Sequence, residues 1–442
     1  MDNLLKPHTW IGTFYPPKQS DKSFGGKLTY TPEKGPSLEY ATPLQYTENT
    51  KNKYLCGILS NGEPCMLAGT FDTAISSFSM KNGYCSFHAT PHRFSYLLLG
   101  AQFSPDQTYD SFRFCITGLQ EFFTDDLQNT PYQSKAITKS EFDLGDIEIS
   151  LNATGLGLQG SLDKQLICND KVALAQLQEA YNEIKNKHPD VKFFIKKETN
   201  YQITLKLKKA LTILDAYIIA RKIKDLFSLI FFSPTQIEYF DAIARTKNGH
   251  PVYLPVFISN PSDMSTIEKS KTKKHHHNLP INSRNTNLGS LISSWMEISE
   301  NHETITTQIQ GQRNSISLHE IYSSITMNVA QLEGIAASNN GGTDKYNYAI
   351  NTYATSKAKG FLISLLGQDK APGVLIFDLR NEIVHPKKPK KLLHNLNWIK
   401  LFKVSICLEL IIARYALDET KLPIEVQESY MNYWIEQTDG WH

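Results

Sequence analysis

Up to about residue 165, apolar and polar residues tend to alternate with a period of two. Lys27-Leu28-Thr29-Tyr30, Ser111-Phe112-Arg113-Phe114-Cys115-Ile116 and Asp146-Ile147-Glu148-Ile149-Ser150-Leu151 each put polar and apolar side chains on opposite faces of an extended strand. Gly25-Gly26, Asn61-Gly62, Asn82-Gly83 and Pro105-Asp106 separate such runs with turn chemistry. The pattern predicts several short strands in a sandwich or curved sheet. From Lys171 the period lengthens. It predicts a helix over 172–187, ended by His188-Pro189, then strands over 191–195 and 201–207. An apolar helix over 211–232 should pack on the sheet, and a second helical run covers 235–245. Residues 171–250 thus complete the N-terminal unit.

Residues 259–287 lose periodicity. They are rich in Ser, Asn, Lys and Pro and carry Lys269-Ser270-Lys271-Thr272-Lys273-Lys274 followed by His275-His276-His277. Composition of this kind predicts a basic linker or mobile loop. Three adjacent histidines do not converge on one ion without other ligands, so a solvated basic loop is the simpler reading. Beside the lysines they could also contribute to an RNA-facing surface. Beyond Leu288 the helical period holds, with helices predicted over 288–307, 317–338, 345–366, 372–384 and 393–416. Asn339-Asn340-Gly341-Gly342 stops the second of them. A tail with Tyr430, Tyr433, Trp434 and Trp441 follows. Short connections between such helices make an up-and-down bundle. The fold class is therefore α+β and multidomain, divided into 1–258, 259–287 and 288–442.

Arg380-Asn381-Glu382-Ile383-Val384-His385-Pro386 closes an apolar run of Val374, Leu375, Ile376, Phe377 and Leu379. Arg grips phosphate oxygens in a planar fork, and His exchanges a proton near neutral pH. Together they suffice for metal-free cleavage of RNA. Five residues along a helix turn through about 500°, which leaves Arg380 and His385 about 140° apart. The residue before a proline avoids helical backbone, so the helix should stop near Val384 and free His385 to swing back. An isolated Arg-x4-His is also what a surface cation and a capping residue would leave. Here, late in a helical segment, it resembles the HEPN ribonuclease motif: Arg, then Asn, Asp or His, a short spacer, and His. Trp10-Ile11-Gly12, Phe24-Gly25-Gly26-Lys27-Leu28-Thr29-Tyr30 and Gly57-Ile58-Leu59-Ser60-Asn61-Gly62 resemble the opening strands of ApeA-type proteins. Those are bacterial anti-phage proteins with a β-rich N-terminal region and a C-terminal HEPN domain.

The resemblance implies an endoribonuclease that acts in abortive infection. Arg380 and His385 would be catalytic, with Asn381 supporting Arg380 or the phosphate and Glu382 a solvated neighbour. Products would carry 2′,3′-cyclic phosphate ends. HEPN proteins typically pair two motifs across one cleft, which implies a homodimer or higher oligomer. RNA, with tRNA the leading substrate, is one expected partner, and a phage protein that triggers the N-terminal region is another. Catalysis would need no cofactor. Glu333, among Val329, Leu332 and Ile335, could reach the site from another helix or serve a structural ion pair. Lys387, Lys388, Lys390 and Lys391 follow the motif and could track a phosphate backbone, or form an ordinary solvated charge run.

Charge and cysteine usage refine these expectations. The formal net charge is +2, so any RNA contact must come from local patches. Six cysteines in 442 residues do not make a disulfide scaffold. Cys56, Cys65, Cys85 and His88, within 54–90, have the composition of a closed structural zinc site. The C-x8-C half is wide, and both cysteines also fit as small apolar strand residues. Cys115, Cys168 and Cys407 read as core. Neither a signal peptide nor a membrane span is visible, since Asp215, Arg221, Lys222, Lys224 and Asp225 interrupt the longest apolar stretch. A cytoplasmic protein is expected. Phosphate-binding glycine loops, metalloprotease motifs and nucleophile elbows are missing from the sequence. Two other functions fit less of the pattern: a non-catalytic HEPN module that binds RNA or nucleotide or acts as a scaffold, and a zinc-dependent RNA-binding protein.

Overall fold

A computed structural model of the protein describes residues 3–43, 52–71, 77–81, 84–88, 91–123, 137–154, 159–161, 170–189, 194–196, 200–246, 248–259, 279–311, 317–339, 345–385, 387 and 389–440. Side chains are described over the same residues except 41–43, 77–81, 84–88, 137–140, 153–154, 159–161, 194–196, 200 and 311. The N-terminal part is built on one 15-stranded sheet. Its first lobe holds β1 (His8–Tyr15), β2 (Phe24–Thr31), β3 (Gly35–Pro43), β4 (Asn52–Leu59), β5 (Pro64–Phe71), β6 (Ser77–Lys81), β7 (Tyr84–His88), β8 (His92–Arg93) and β9 (Tyr96–Leu99). Its second lobe holds β10 (Tyr109–Ile116), β11 (Ile137–Asp143), β12 (Ile147–Thr154), β15 (Asn200–Leu211), β16 (Ile237–Arg245) and β17 (Pro251–Ile258). β13 (Gln159–Ser161) and β14 (Phe194–Lys196) form a separate pair. β17 joins the lobes by pairing with β9, with Val256 opposite Leu98. The ladders among the described strands are antiparallel, so one face of each strand can bury apolar residues while the other stays polar.

Residues 237–245 are a strand, although their sequence suggests a helix. The cause is tertiary. β16 lies between β10 and β17 and meets hydrogen-bonding partners on both sides. Phe240 and Ala242 are buried, while Asp241 reaches Arg113 across the ladder at 2.7 Å. Helix α1 (Leu119–Phe122) is a single turn, and α2 (Lys171–Lys187) buries none of its side chains. Helix α3 (Ile213–Ile230) packs against β10 and β16, with Tyr217 edge-on to Phe240 at 5.3 Å, and buries Ala216, Ala220, Ile223 and Phe227.

The C-terminal part is helical: α4 (Leu288–Ile298), α5 (Glu303–Gly311), α6 (Leu318–Ser338), α7 (Lys345–Tyr353), α8 (Ser356–Leu366), α9 (Pro372–Val384), α10 (Lys391–Asn395), α11 (Trp398–Glu419) and α12 (Ile424–Asp439). A β-rich part followed by a helical part is the architecture that the residue periods imply. Three expected helices are broken, one of them (393–416) at Leu396 and Asn397, which separate α10 from α11. A 3-10 turn at Ser299–His302 separates α4 from α5. Thr355 splits 345–366 by adopting extended backbone and accepting a hydrogen bond from the Ala358 N–H. Arg414 then donates to the Tyr353 carbonyl at 3.0 Å and satisfies the end of α7.

Helix α3 is also the seam between the two parts. Trp295 of α4 donates to the Lys222 carbonyl at 2.7 Å, and Tyr430 of α12 donates to the Leu229 carbonyl at 2.7 Å. Gln310 of α5 bonds Ser228 and accepts from Gln236. Phe232 ends α3 with φ 43°, a left-handed backbone that disfavours a bulky residue. Its ring is buried against Trp434 at 5.9 Å, so packing from the helical part supports that conformation.

Candidate functional site

Pro372 starts α9 at a position where its missing N–H leaves no intrahelical bond unmade. The first turn is fastened by Asn347 of α7, whose Oδ1 accepts from the Gly373 N–H at 2.7 Å. A Cβ on Gly373 would lie 2.4 Å from that oxygen, so only glycine allows this approach. The other end of α9 carries the arginine–histidine pair. Arg380 sits half-buried in the last turn and donates from Nη1 to Asn381 Oδ1 at 3.2 Å. Asn381 itself is buried. His385 is the C-cap, with φ −105° and ψ 105°. The chain thus leaves the helix at His385, and the exposed imidazole stands at the point of departure.

Glu333 on α6 faces this end of α9. Its carboxylate accepts from Lys345 Nζ at 2.6 Å and from the Tyr346 hydroxyl at 3.3 Å. The Lys345 hydrogen bond is the main reason that its pKa lies below the usual carboxylate range, and the charge of Arg380 adds to the effect. Glu333 is therefore an ionised partner rather than a proton donor at neutral pH. Tyr346 also stacks on Phe377, one turn before Arg380, with ring centroids 5.1 Å apart. Burial and the Glu333 charge push the Tyr346 hydroxyl up.

Glu382 is not the solvated neighbour that the sequence suggests. It is buried, and its carboxylate accepts from the Leu392 N–H at 2.9 Å and the Leu393 N–H at 3.0 Å. These are the open N-terminal amides of α10, which has no side-chain cap of its own. Sequence reasoning missed this role because the partners lie ten residues away. One signal was available: Lys390, the residue before α10, is not a capping type. Lys387, Lys390 and Lys391 are exposed on the connection, while Pro386 and Lys388 lie outside the described residues.

Cys56 and Cys65 are buried free thiols on the paired strands β4 and β5. The side chains of Cys85 and His88 lie outside the described residues, as do the lysine run and the histidine triplet within 260–278. Among the described residues, no cluster of three or more His, Cys, Asp or Glu side chains could hold a metal. Nor is any helix there long and apolar enough to cross a membrane.

A family model described as ApeA N-terminal domain 1 matches residues 9–295, well over half of the chain. The chain belongs to that family. The match covers the whole path from β1 to β17 and continues into α4, the helix that contacts α3 through Trp295. Membership in the ApeA family supports a role in anti-phage defence. No curated protein and no solved structure matches the chain.

Proposed function

We propose that the helical part is a HEPN-class, metal-independent endoribonuclease, that its substrate is cellular RNA, and that the sheet-based part controls it during phage infection. One observation carries the reading. Arg380 occupies the last turn of a helix, and His385 stands where the chain leaves it, beside a lysine-bearing connection.

In this mechanism the ribose 2′-hydroxyl attacks the adjacent phosphorus and His385 accepts its proton. Arg380 neutralises charge on the phosphoryl oxygens as the P–O5′ bond breaks. The leaving 5′-oxygen takes a proton from an imidazolium, either His385 after its first transfer or its equivalent in a second copy. The products are a 2′,3′-cyclic phosphate and a 5′-hydroxyl. Asn381 holds the guanidinium, and Lys387, Lys388, Lys390 and Lys391 attract the phosphate backbone. A pair of motifs across a homodimer completes the site, tRNA is the leading substrate, and a phage protein acting on the sheet is the expected trigger.

The test uses purified wild type, Arg380→Ala and His385→Ala on total tRNA in EDTA, with and without extract of infected cells. Wild type should cleave and leave cyclic phosphate ends. Each variant should lose about 10²-fold or more while keeping its fold. Equal cleavage by all three would remove Arg380 and His385 from the site. Binding of tRNA without cleavage in either condition would favour a non-catalytic RNA-binding module.

A further inference from the structure

The connection from α9 to α10 is fixed at both ends. At its start, the His385 N–H donates to the Asn381 carbonyl at 3.0 Å. At its finish, the Glu382 carboxylate binds the Leu392 and Leu393 amides. Glu382 lies three residues before His385 on the same helix and is buried, so it ties the far end of the connection back to the helix that carries the motif.

A carboxylate that accepts several backbone N–H groups makes charge-assisted bonds, which are shorter and stronger than neutral ones. It does for α10 what a capping side chain would normally do. Without it, the holds left on the connection among the described residues would be the His385 N–H bond and the packing of Leu392, Leu393 and Leu396. The exposed lysines 387, 390 and 391 would then sample many positions, and His385 would lose the constraint on its downstream side.

We propose that Glu382 is a positioning residue for the cleavage reaction: its carboxylate clamps the start of α10 to α9 and so holds the His385 imidazole and Lys387, Lys390 and Lys391 in one arrangement toward RNA. The inference rests on the nuclease reading of Arg380 and His385 for its catalytic half. The clamp itself does not depend on that reading. Glu382 touches no reacting atom and acts through the backbone of α10.

The experiment compares the full chain as wild type, Glu382→Gln and Glu382→Ala. Glu382→Gln keeps the size and one acceptor oxygen, and so guards against simple misfolding. Each protein is treated with a low dose of trypsin below its thermal transition, and cuts after Lys387 and Lys390 are timed by mass spectrometry. RNA cleavage is measured in parallel as kcat and KM on tRNA. Expected are faster cuts in the connection, in the order Ala, Gln, wild type, with unchanged cuts elsewhere. With them should come a fall in kcat of about tenfold or more and a rise in KM, because the general base and the cationic rim are displaced together. A purely structural role would lower thermal stability yet leave kcat and KM of the folded protein unchanged, and that result would overturn the proposal. Unchanged trypsin cutting in Glu382→Ala would overturn the clamp directly. If wild type and variants all fail to cleave RNA both with and without extract of infected cells, the nuclease reading falls and the catalytic half with it, while the trypsin comparison still decides the clamp.

Discussion

Charged residues around the motif divide into those aimed at solvent and those spent on structure. His385 is exposed and Arg380 half-buried, whereas Glu382 and the uncharged Asn381 are buried. Glu333 keeps its charge through Lys345, so Glu333→Gln should disturb Lys345 and Tyr346 without removing a proton donor. RNA cleavage by that variant should stay within about tenfold of wild type, since electrostatic support from a half-exposed group is modest. A larger loss in kcat would give Glu333 a direct role. The cysteines make a second residue-scale prediction. Burial, with smaller contributions from Cys56 and Glu63, pushes the Cys65 thiol up to about 12. Burial also raises Cys56, Cys115 and Cys407. At pH 8 these four should resist iodoacetamide in the folded protein and react once it is unfolded, as peptide mass spectrometry would record. The sequence suggested Arg380 and His385 through their types and spacing. It pointed to a missing cap at Lys390 but not to Glu382 as its replacement, because a cap supplied from another helix leaves no local pattern of its own.

Helices were legible where their ends carry signals. Pro372 and Pro386 bracket α9, and Ser317 with Glu320 forms a capping box at the start of α6. Replacing Ser317 by Ala should cost about 1 kcal/mol, read as a lower urea midpoint with unchanged slope. Gly373 sets a stricter condition. Its replacement by Ala forces a Cβ into Asn347 and should cost about 1–3 kcal/mol, while also shifting the start of the helix that carries Arg380. The thermal transition should fall and RNA cleavage should weaken together. Elements were misread where tertiary partners outweigh local preference. Residues 237–245 have no strict alternation that marks a strand, because Tyr239, Phe240, Asp241 and Ala242 in succession are all buried. Only the pairing with β10 and β17 decides the matter.

At the scale of the whole molecule, both parts pack on α3. Tyr430→Phe removes the bond to Leu229 and should cost about 1 kcal/mol, whereas Trp434→Ala removes the ring that supports Phe232 and should cost about 3–5 kcal/mol. Calorimetry should show a smaller loss for the first variant than for the second. Residues 288–442 produced alone would expose the faces of Trp295, Tyr430 and Trp434 that α3 covers, and should aggregate more readily than the full chain. The general sequence, strands and then helices, was readable from hydrophobic period alone. The seam was not, because α3 looks like an ordinary sheet-packing helix and only its far side reveals a second client. The pairing of β17 with β9 has a temporal consequence as well. On the ribosome, residues 96–99 must wait for residues 251–258 before that ladder can form. The sheet with its helix α3 can therefore be complete while the arginine–histidine helix is still unmade. Each newly synthesised copy of the proposed nuclease half would emerge beside a finished partner, so a growing chain would not pass through a stage with the helical half folded and its counterpart missing.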